Sequence, residues 1–224
     1  KHLKNLVIAF ACFTLIALGY NASTADAAVP YTDVKTNAWY YETIDYLHAE
    51  GIVFGYNNTN QFMPDQAANR GETAQFIANA LNLDTKNVTD PGFTDVPKSH
   101  PYYGAIAALA NEKIINGVGN NKFDPNGKLQ RVHFSKILIL AFDLEQSTAK
   151  TSKFADVNRY AQINNQPIWV SYVETLVGYG ITTGKTPTEF APTAQVTRAE
   201  LATFLERALE QTDSFGDFEV IGVE

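Results

Sequence analysis

Cysteine is all but missing: Cys12 is the single one in 224 residues. No intrachain disulfide can form, so packing, hydrogen bonds and ion pairs must hold the fold. Histidine is scarce as well. His48, His100 and His133 stand far apart, with no His-x-x-x-His spacing and no cysteine partner, so no zinc site is expected. No Gly-x-Ser-x-Gly element occurs. Asn57-Asn58-Thr59-Asn60 has the polarity of a calcium loop but lacks the Asp-x-Asp-x-Asp-Gly register and the closing Glu. It reads as a turn. The sequence calls for no metal, no cofactor and no enzyme chemistry. Positive charge is in deficit too: 17 Lys and Arg face 24 Asp and Glu, a net charge of −7. That balance excludes a nucleic-acid partner, which would want a basic face.

What is present begins with a leader. Lys1, His2 and Lys4 precede an apolar run from Leu6 to Leu18, and Ala25-Asp26-Ala27 follows as a cleavage pattern. Residues 1–27 read as a secretory signal peptide cut after Ala27. About 13 apolar residues are too few to span a bilayer, so no membrane contact is expected after cleavage. Cys12 leaves with the leader. An exported chain without disulfides fits a bacterial surface better than a disulfide-stapled secretion. Without Lys1, Lys4 and Asp26 the mature chain keeps 15 basic and 23 acidic side chains, net −8. An acidic partner must then be met by a few local cations.

Self-similarity is the strongest signal. Three units open with Tyr31-Thr32-Asp33-Val34, Phe93-Thr94-Asp95-Val96 and Phe154-Ala155-Asp156-Val157, spaced by 62 and 61 residues. A helix follows, with Ile44 and Leu47 matched by Ile106 and Leu109, then by Val173 and Leu176. It ends at Gly51, Lys113 or Gly180, and a second glycine follows at Gly55, Gly117 or Gly184. A loop carries Phe62-Met63-Pro64, Phe123-Asp124-Pro125 or Phe190-Ala191-Pro192. The third unit has extra polar residues from Asn158 to Pro167, expected as a surface excursion.

A second helix then starts at an arginine. In Thr197-Arg198-Ala199-Glu200, Thr197 caps and Glu200 reaches back, a capping box. Asn69-Arg70-Gly71-Glu72 keeps both parts, whereas Gln130-Arg131-Val132-His133 lacks both. A cation in the first helical turn opposes the helix dipole. Three of them are easier to explain beside something anionic. We expect an all-α domain of three helix-loop-helix repeats, about 30–84, 92–145 and 153–210. One pair cannot bury its apolar stripe alone, so the three pack together. The first helices, with Ala105, Ala107 and Ala108, are expected to meet at a shared axis, and the Tyr/Phe-x-Asp-Val segments to be extended. Residues 211–224 read as an acidic tail or linker.

This ordered set of motifs, three times over behind a signal peptide, resembles the surface-layer homology (SLH) domain triplet. The resemblance covers about residues 30–210. It implies a pseudo-threefold, three-pronged module around a central helix bundle. It further implies non-covalent anchoring to the wall of a Gram-positive bacterium, through a pyruvylated secondary cell wall polysaccharide, for a protein at the cell surface or in an S-layer. The arginine of Thr-Arg-Ala-Glu is the main ligand residue that the family implies.

Carried over position by position, the glycan-binding candidates are Arg70, Arg131 and Arg198. Arg198 and Arg70 are expected to matter most, because their caps are intact. Each would clamp a ketal carboxylate in a bidentate fork, helped by free N–H groups of its helix turn. The alternative is an internal pair with Asp33, Asp95 or Asp156, which could also orient an arginine or a sugar hydroxyl. Trp39 and Trp169, with Tyr40 and Tyr102, are stacking candidates, with core or rim packing as the competing role. Gly55, Gly117 and Gly184 either admit the glycan to the backbone or simply make turns. Glu72 and Glu200 are caps, with no second carboxylate at a fixed short offset to make a catalytic pair. A monomer is expected. The competing functions are the anchor region of a longer surface enzyme or adhesin, and a self-assembling lattice protein.

Overall fold

A computed structural model describes residues 29–216, apart from the side chains of Asn58 and of residues 213–216. The leader, residues 1–27, lies outside the described residues, and so does the tail from 217. Seven α-helices are present among the described residues: α1 (Tyr41–Ala49), α2 (Arg70–Ala80), α3 (Tyr103–Asn111), α4 (Arg131–Ala141), α5 (Ala155–Ile163), α6 (Ile168–Gly178) and α7 (Arg198–Gly216). Among the described residues one 3-10 turn (Tyr56–Asn58) and isolated β-bridges accompany them and no strand does, so the fold is all-α.

Local chemistry sets the boundaries. The Asn69 side chain accepts from the Glu72 N–H at 2.7 Å, and the Glu72 carboxylate accepts in turn from the Asn69 N–H at 3.1 Å. Thr197 and Glu200 make the same reciprocal pair at 3.2 and 3.0 Å. Gln130 offers α4 no side-chain cap. At the far end of each first helix the chain turns through a left-handed residue: Gly51 (φ 69°), Lys113 (φ 60°) and Gly180 (φ 69°). Lys113 accepts that conformation without glycine's freedom.

The two helices of a repeat are not each other's main partners. The principal contacts between repeats are α1 with α7, α2 with α3, and α4 with α6, while α5 packs on α6 within the third repeat. Each first helix therefore packs on the second helix of another repeat, and the contacts run around a ring. The expected meeting of the first helices at a shared axis is corrected accordingly: α3, on which Ala105, Ala107 and Ala108 are buried, packs chiefly on α2. This arrangement answers the burial problem differently, because the apolar stripe of each first helix is covered by a neighbouring repeat, and α5 alone is covered mainly from within its own. One core cluster runs through all three repeats, including Ile44, Leu47, Phe76, Ile106, Leu109, Leu138, Leu176 and Leu205. A smaller one, around Phe154, Val157, Val170, Val173 and Phe190, lies under the third repeat.

Three expectations need amendment. None of the Tyr/Phe-x-Asp-Val segments is extended: the valine N–H donates back to the carbonyl three residues earlier, Val34 to Tyr31, Val96 to Phe93 and Val157 to Phe154, so each closes a turn. In the third repeat that turn opens α5, a helix found only there, with Val157 and Ala161 turned inward. The surface excursion is thus largely helical up to Ile163. The last helix also continues past Leu209 to Gly216.

Candidate functional site

The grooves are built from their floors. Asp33 spreads its carboxylate over two consecutive N–H groups, Phe62 at 2.8 Å and Met63 at 2.7 Å. Asp95 does the same for Phe123 and Asp124, both at 2.8 Å, and Asp156 for Phe190 and Ala191 at 3.3 and 2.7 Å. Two N–H groups accepted by one carboxylate hold a sharp turn, and the middle residue of each Phe-x-Pro is left-handed: Met63 (φ 57°), Asp124 (φ 60°) and Ala191 (φ 58°). The aspartates are therefore not ion-pair partners of the arginines. They fasten the turn whose phenylalanine carbonyl receives one.

That carbonyl is met across repeats. Arg198 Nε donates to the Phe62 carbonyl at 2.6 Å, Arg70 Nε to Phe123 at 2.9 Å and Arg131 Nε to Phe190 at 2.8 Å. Each arginine thus leaves its own repeat. The backbone follows the same rule. The N–H groups of Arg70 and Gly71 go to the carbonyls of Gly127 and Pro125, those of Arg131 and Val132 to Ala194 and Pro192, and those of Arg198 and Ala199 to Gln66 and Pro64. The helix-turn N–H groups expected to be free for an anion are consumed in joining the repeats. The isolated bridges Asn69–Lys128, Gln130–Gln195 and Ala67–Thr197 close the same ring.

The three arginines then diverge. Arg198 is 0 % exposed. Its Nη1 meets Glu72 Oε1 at 2.5 Å and its Nη2 the Phe54 carbonyl at 2.7 Å. The rings of Phe62, Phe76 and Tyr56 lie 4.6, 5.2 and 5.7 Å from its guanidinium carbon. Arg131 is 1 % exposed. Its Nη1 pairs with Glu200 Oε1 at 3.1 Å, an oxygen shared with Lys185 Nζ at 2.9 Å. Arg70 is only partly buried. It donates Nη2 to the Asn116 carbonyl at 2.7 Å and stands 4.4 Å from the Phe123 ring. Among the described residues it has no carboxylate within ion-pair distance.

The cause is one side chain. Glu72 and Glu200 occupy the third helical position of their repeats, and each caps with one oxygen and pairs with a neighbour's arginine through the other. In the second repeat that position is His133, which cannot neutralise Arg70. Burial, then the Arg70 and Lys136 cations, push the His133 pKa below the ordinary histidine value. Burial also lowers all three guanidinium pKa values. Arginine starts so high that each stays charged at neutral pH.

The remaining candidates frame the grooves. A Cβ on Gly55 would lie 1.8 Å from the Thr59 carbonyl oxygen, and one on Gly117 2.5 Å from that of Lys122. Gly184 is equally hemmed in, 2.5 Å from the Thr186 carbonyl oxygen. The demand for glycine comes from the loop's own backbone. Tyr40, Tyr102 and Trp169 occupy matched positions, four residues before Ile44, Ile106 and Val173. Trp169 lies 5.2 Å from the His133 ring, and the Tyr160 hydroxyl of α5 is 3.5 Å from His133 Nε2. Trp39 is 66 % exposed, its ring edge-on to that of Tyr40 at 5.2 Å. Beside the Arg198 groove, Phe54, Asn57, Gln75, Asn79, Pro101 and Tyr102 line an open cavity of about 490 Å³. Among the described residues no group of His, Asp and Glu is placed to hold a metal, and no helix is long and apolar enough to cross a membrane.

Comparison with known proteins fits this architecture. The sequence profile of the S-layer homology domain matches residues 30–74, 92–131 and 163–202. The chain is 31 % identical over 207 residues to an S-layer protein of Bacillus thuringiensis subsp. finitimus, covering 92 % of this chain and 24 % of that protein. It is 32 % identical over 203 residues to a surface-layer 125 kDa protein of Lysinibacillus sphaericus, covering 86 % and 16 %. An exoglucanase of Acetivibrio thermocellus matches at 28 % over 206 residues, covering 89 % and 18 %. The chain spans a quarter or less of the length of these relatives.

The chain belongs to the S-layer homology domain family. Such domains anchor proteins to the cell wall, and these three repeats are an anchoring module of a secreted cell-surface protein rather than a catalytic one.

Proposed function

We propose that the module binds an acidic secondary cell wall polysaccharide, and that the recognised group is a sugar carrying a pyruvate ketal. The observation that supports this reading is Arg70. On a chain of net charge −7 it keeps an uncompensated guanidinium, fixed by two backbone carbonyls and open to solvent on one side. A carboxylate docking there gains a charge-assisted bond to a donor already held in place. Asp33, Asp95 and Asp156 contribute through the Phe-x-Pro turns, and Gly55, Gly117 and Gly184 through the loops beside them. Trp169 offers a ring face in the Arg70 groove, and Trp39 one at the rim beside Tyr40. Arg131 and Arg198 act mainly by tying repeats together. The ring of contacts fits a three-pronged, pseudo-threefold module spanning about 28–210, working as a monomer.

Co-sedimentation with purified wall sacculi tests the reading. Binding is expected to intact sacculi and to vanish once the polysaccharide, but not the peptidoglycan, is stripped. Undiminished binding to bare peptidoglycan overturns it, and wall hydrolysis by the pure protein would reopen an enzymatic role. A second reading has its own support: the match to an exoglucanase covers only 18 % of that protein. The module would then be the anchor region of a longer surface enzyme or adhesin. The length of the natural open reading frame decides this.

A further inference from the structure

We infer that His133 determines which groove accepts the acid group, and that this chain holds one fragment bearing that group at a time, in the groove of Arg70. The inference rests on the reading that the ligand is an acidic wall sugar. It adds a selection rule: an arginine of the ring is available to a ligand carboxylate only where the third residue of the neighbouring helix is not itself a carboxylate.

Three independent comparisons within the molecule carry it. The first is charge. Glu72 already supplies the anion for Arg198, and Glu200 does so for Arg131. A ligand carboxylate in either groove would have to displace an internal carboxylate that also caps a helix. The imidazole of His133 makes no such pair with Arg70. The second is cover. Phe54, Tyr56 and Phe76 surround Arg198, and their counterparts near Arg70 are Asn116, Val118 and Ile137. Of these, Asn116 gives Arg70 only its carbonyl, and Val118 is 57 % exposed. The third is the wall opposite. Trp169 and Tyr160 stand against His133, and Tyr160 comes from α5, which the other repeats lack. A free guanidinium, the nearby Lys136 ammonium and an aromatic wall suit a sugar with one acidic edge and one apolar face. Asp95 and Asp124 are near enough to favour the charged form of Arg70, yet neither pairs with it.

The test is calorimetry on the whole chain, with a pyruvate-ketal N-acetylmannosamine methyl glycoside and with its ketal methyl ester. Wild type is expected to bind one acid fragment per chain. His133→Glu installs the residue that the other two grooves carry and should keep the fold, as read by circular dichroism. It should weaken binding about thirtyfold or more, because Arg70 is then neutralised from within. His133→Gln has no charge and should lose at least about tenfold less affinity than His133→Glu. Acid-fragment affinity unchanged in His133→Glu overturns the selection rule, and so does a stoichiometry of two or three. Wild type binding acid and ester alike, or neither, overturns the acidic-sugar reading itself and this inference with it. Equal losses in His133→Gln and His133→Glu would give His133 a shape role and also reject the rule.

Discussion

The grooves of Arg198 and Arg70 are copies of one plan with opposite outcomes. Both arginines start a helix, both cross to a neighbouring repeat, and both donate Nε to a phenylalanine carbonyl that an aspartate has positioned. Arg198 ends in the interior against Glu72, under three aromatic rings. Arg70 ends at the surface, beside a histidine. The same residue in the same motif is a core strut in one place and an open cation in the other. A repeat motif therefore fixes where a side chain goes, while its neighbours decide what it is for.

The largest expected break in this comparison is in stability. Arg198→Ala leaves the Glu72 carboxylate buried without its cation, and losing one partner of a buried pair costs about 3–5 kcal/mol. Arg70→Ala removes two bonds to carbonyls, one of them at the surface, and a contact with the Phe123 ring, but strands no buried charge, and should cost about 1–2 kcal/mol. Urea unfolding of both variants measures the difference. Leu109→Ala gives a scale for it, because a fully buried leucine in the shared core should cost about 2–5 kcal/mol. Unfolding should stay a single transition throughout, since the first helix of each repeat is covered by another repeat and one core cluster runs through all three. Equal losses for the two arginines would erase the distinction.

Binding should reverse the order. Arg70→Ala should lose about 2–5 kcal/mol of affinity for the pyruvylated fragment with its helicity intact. Arg70→Lys should fail as well, because an ammonium lacks the parallel donors of the fork. Arg131→Ala should affect binding mainly through the fold. If Arg131→Ala abolishes binding while unfolding is unchanged, the Arg131 groove is the site instead.

A smaller effect sharpens the comparison at another matched position. Lys113 takes the left-handed turn that Gly51 and Gly180 take in the other repeats. Lys113→Gly should stabilise by about 1 kcal/mol, by removing the clash between Cβ and the carbonyl. A loss of stability would mean that the lysine side chain compensates elsewhere.

Much of this was legible in the chain itself. The capping boxes, the glycine stops and the buried positions from Ile44 to Leu209 follow from spacing, because they depend on residues a few positions apart. The helical start at Ala155 was also within reach, since Val157 and Ala161 lie four apart, but the Phe-x-Asp-Val match masked it. What could not be read is everything that crosses repeats. Arg198 meets Glu72 at a separation of 126 residues, and Arg131 meets Glu200 at 69. Three equal repeats leave open which one faces which. The odd His133 is visible in the chain, but spacing alone associates it with Arg131, two residues before it. It proves to be the neighbour of Arg70, and the apparent weakness of the second repeat is what leaves a cation available.

The subtlest prediction concerns His133 itself. Its pKa is lowered first by burial, then by Arg70, then by Lys136. Arg70→Ala removes the second cause and leaves the first, so the imidazole should titrate at a higher pH than in wild type while staying below the ordinary histidine value. The sign for stability follows. A histidine that is harder to protonate when folded contributes most above its ordinary pKa of about 6.5, and that contribution declines as pH falls toward the folded value. Arg70→Ala should flatten this decline. A bound carboxylate should act in the same direction, since it screens the guanidinium, so the pyruvylated fragment should raise the His133 pKa in wild type and leave it unmoved in Arg70→Ala. Proton NMR of the imidazole resonances reads all three states. If the fragment binds tightly and the His133 titration does not move, the acid group is not lodged beside Arg70.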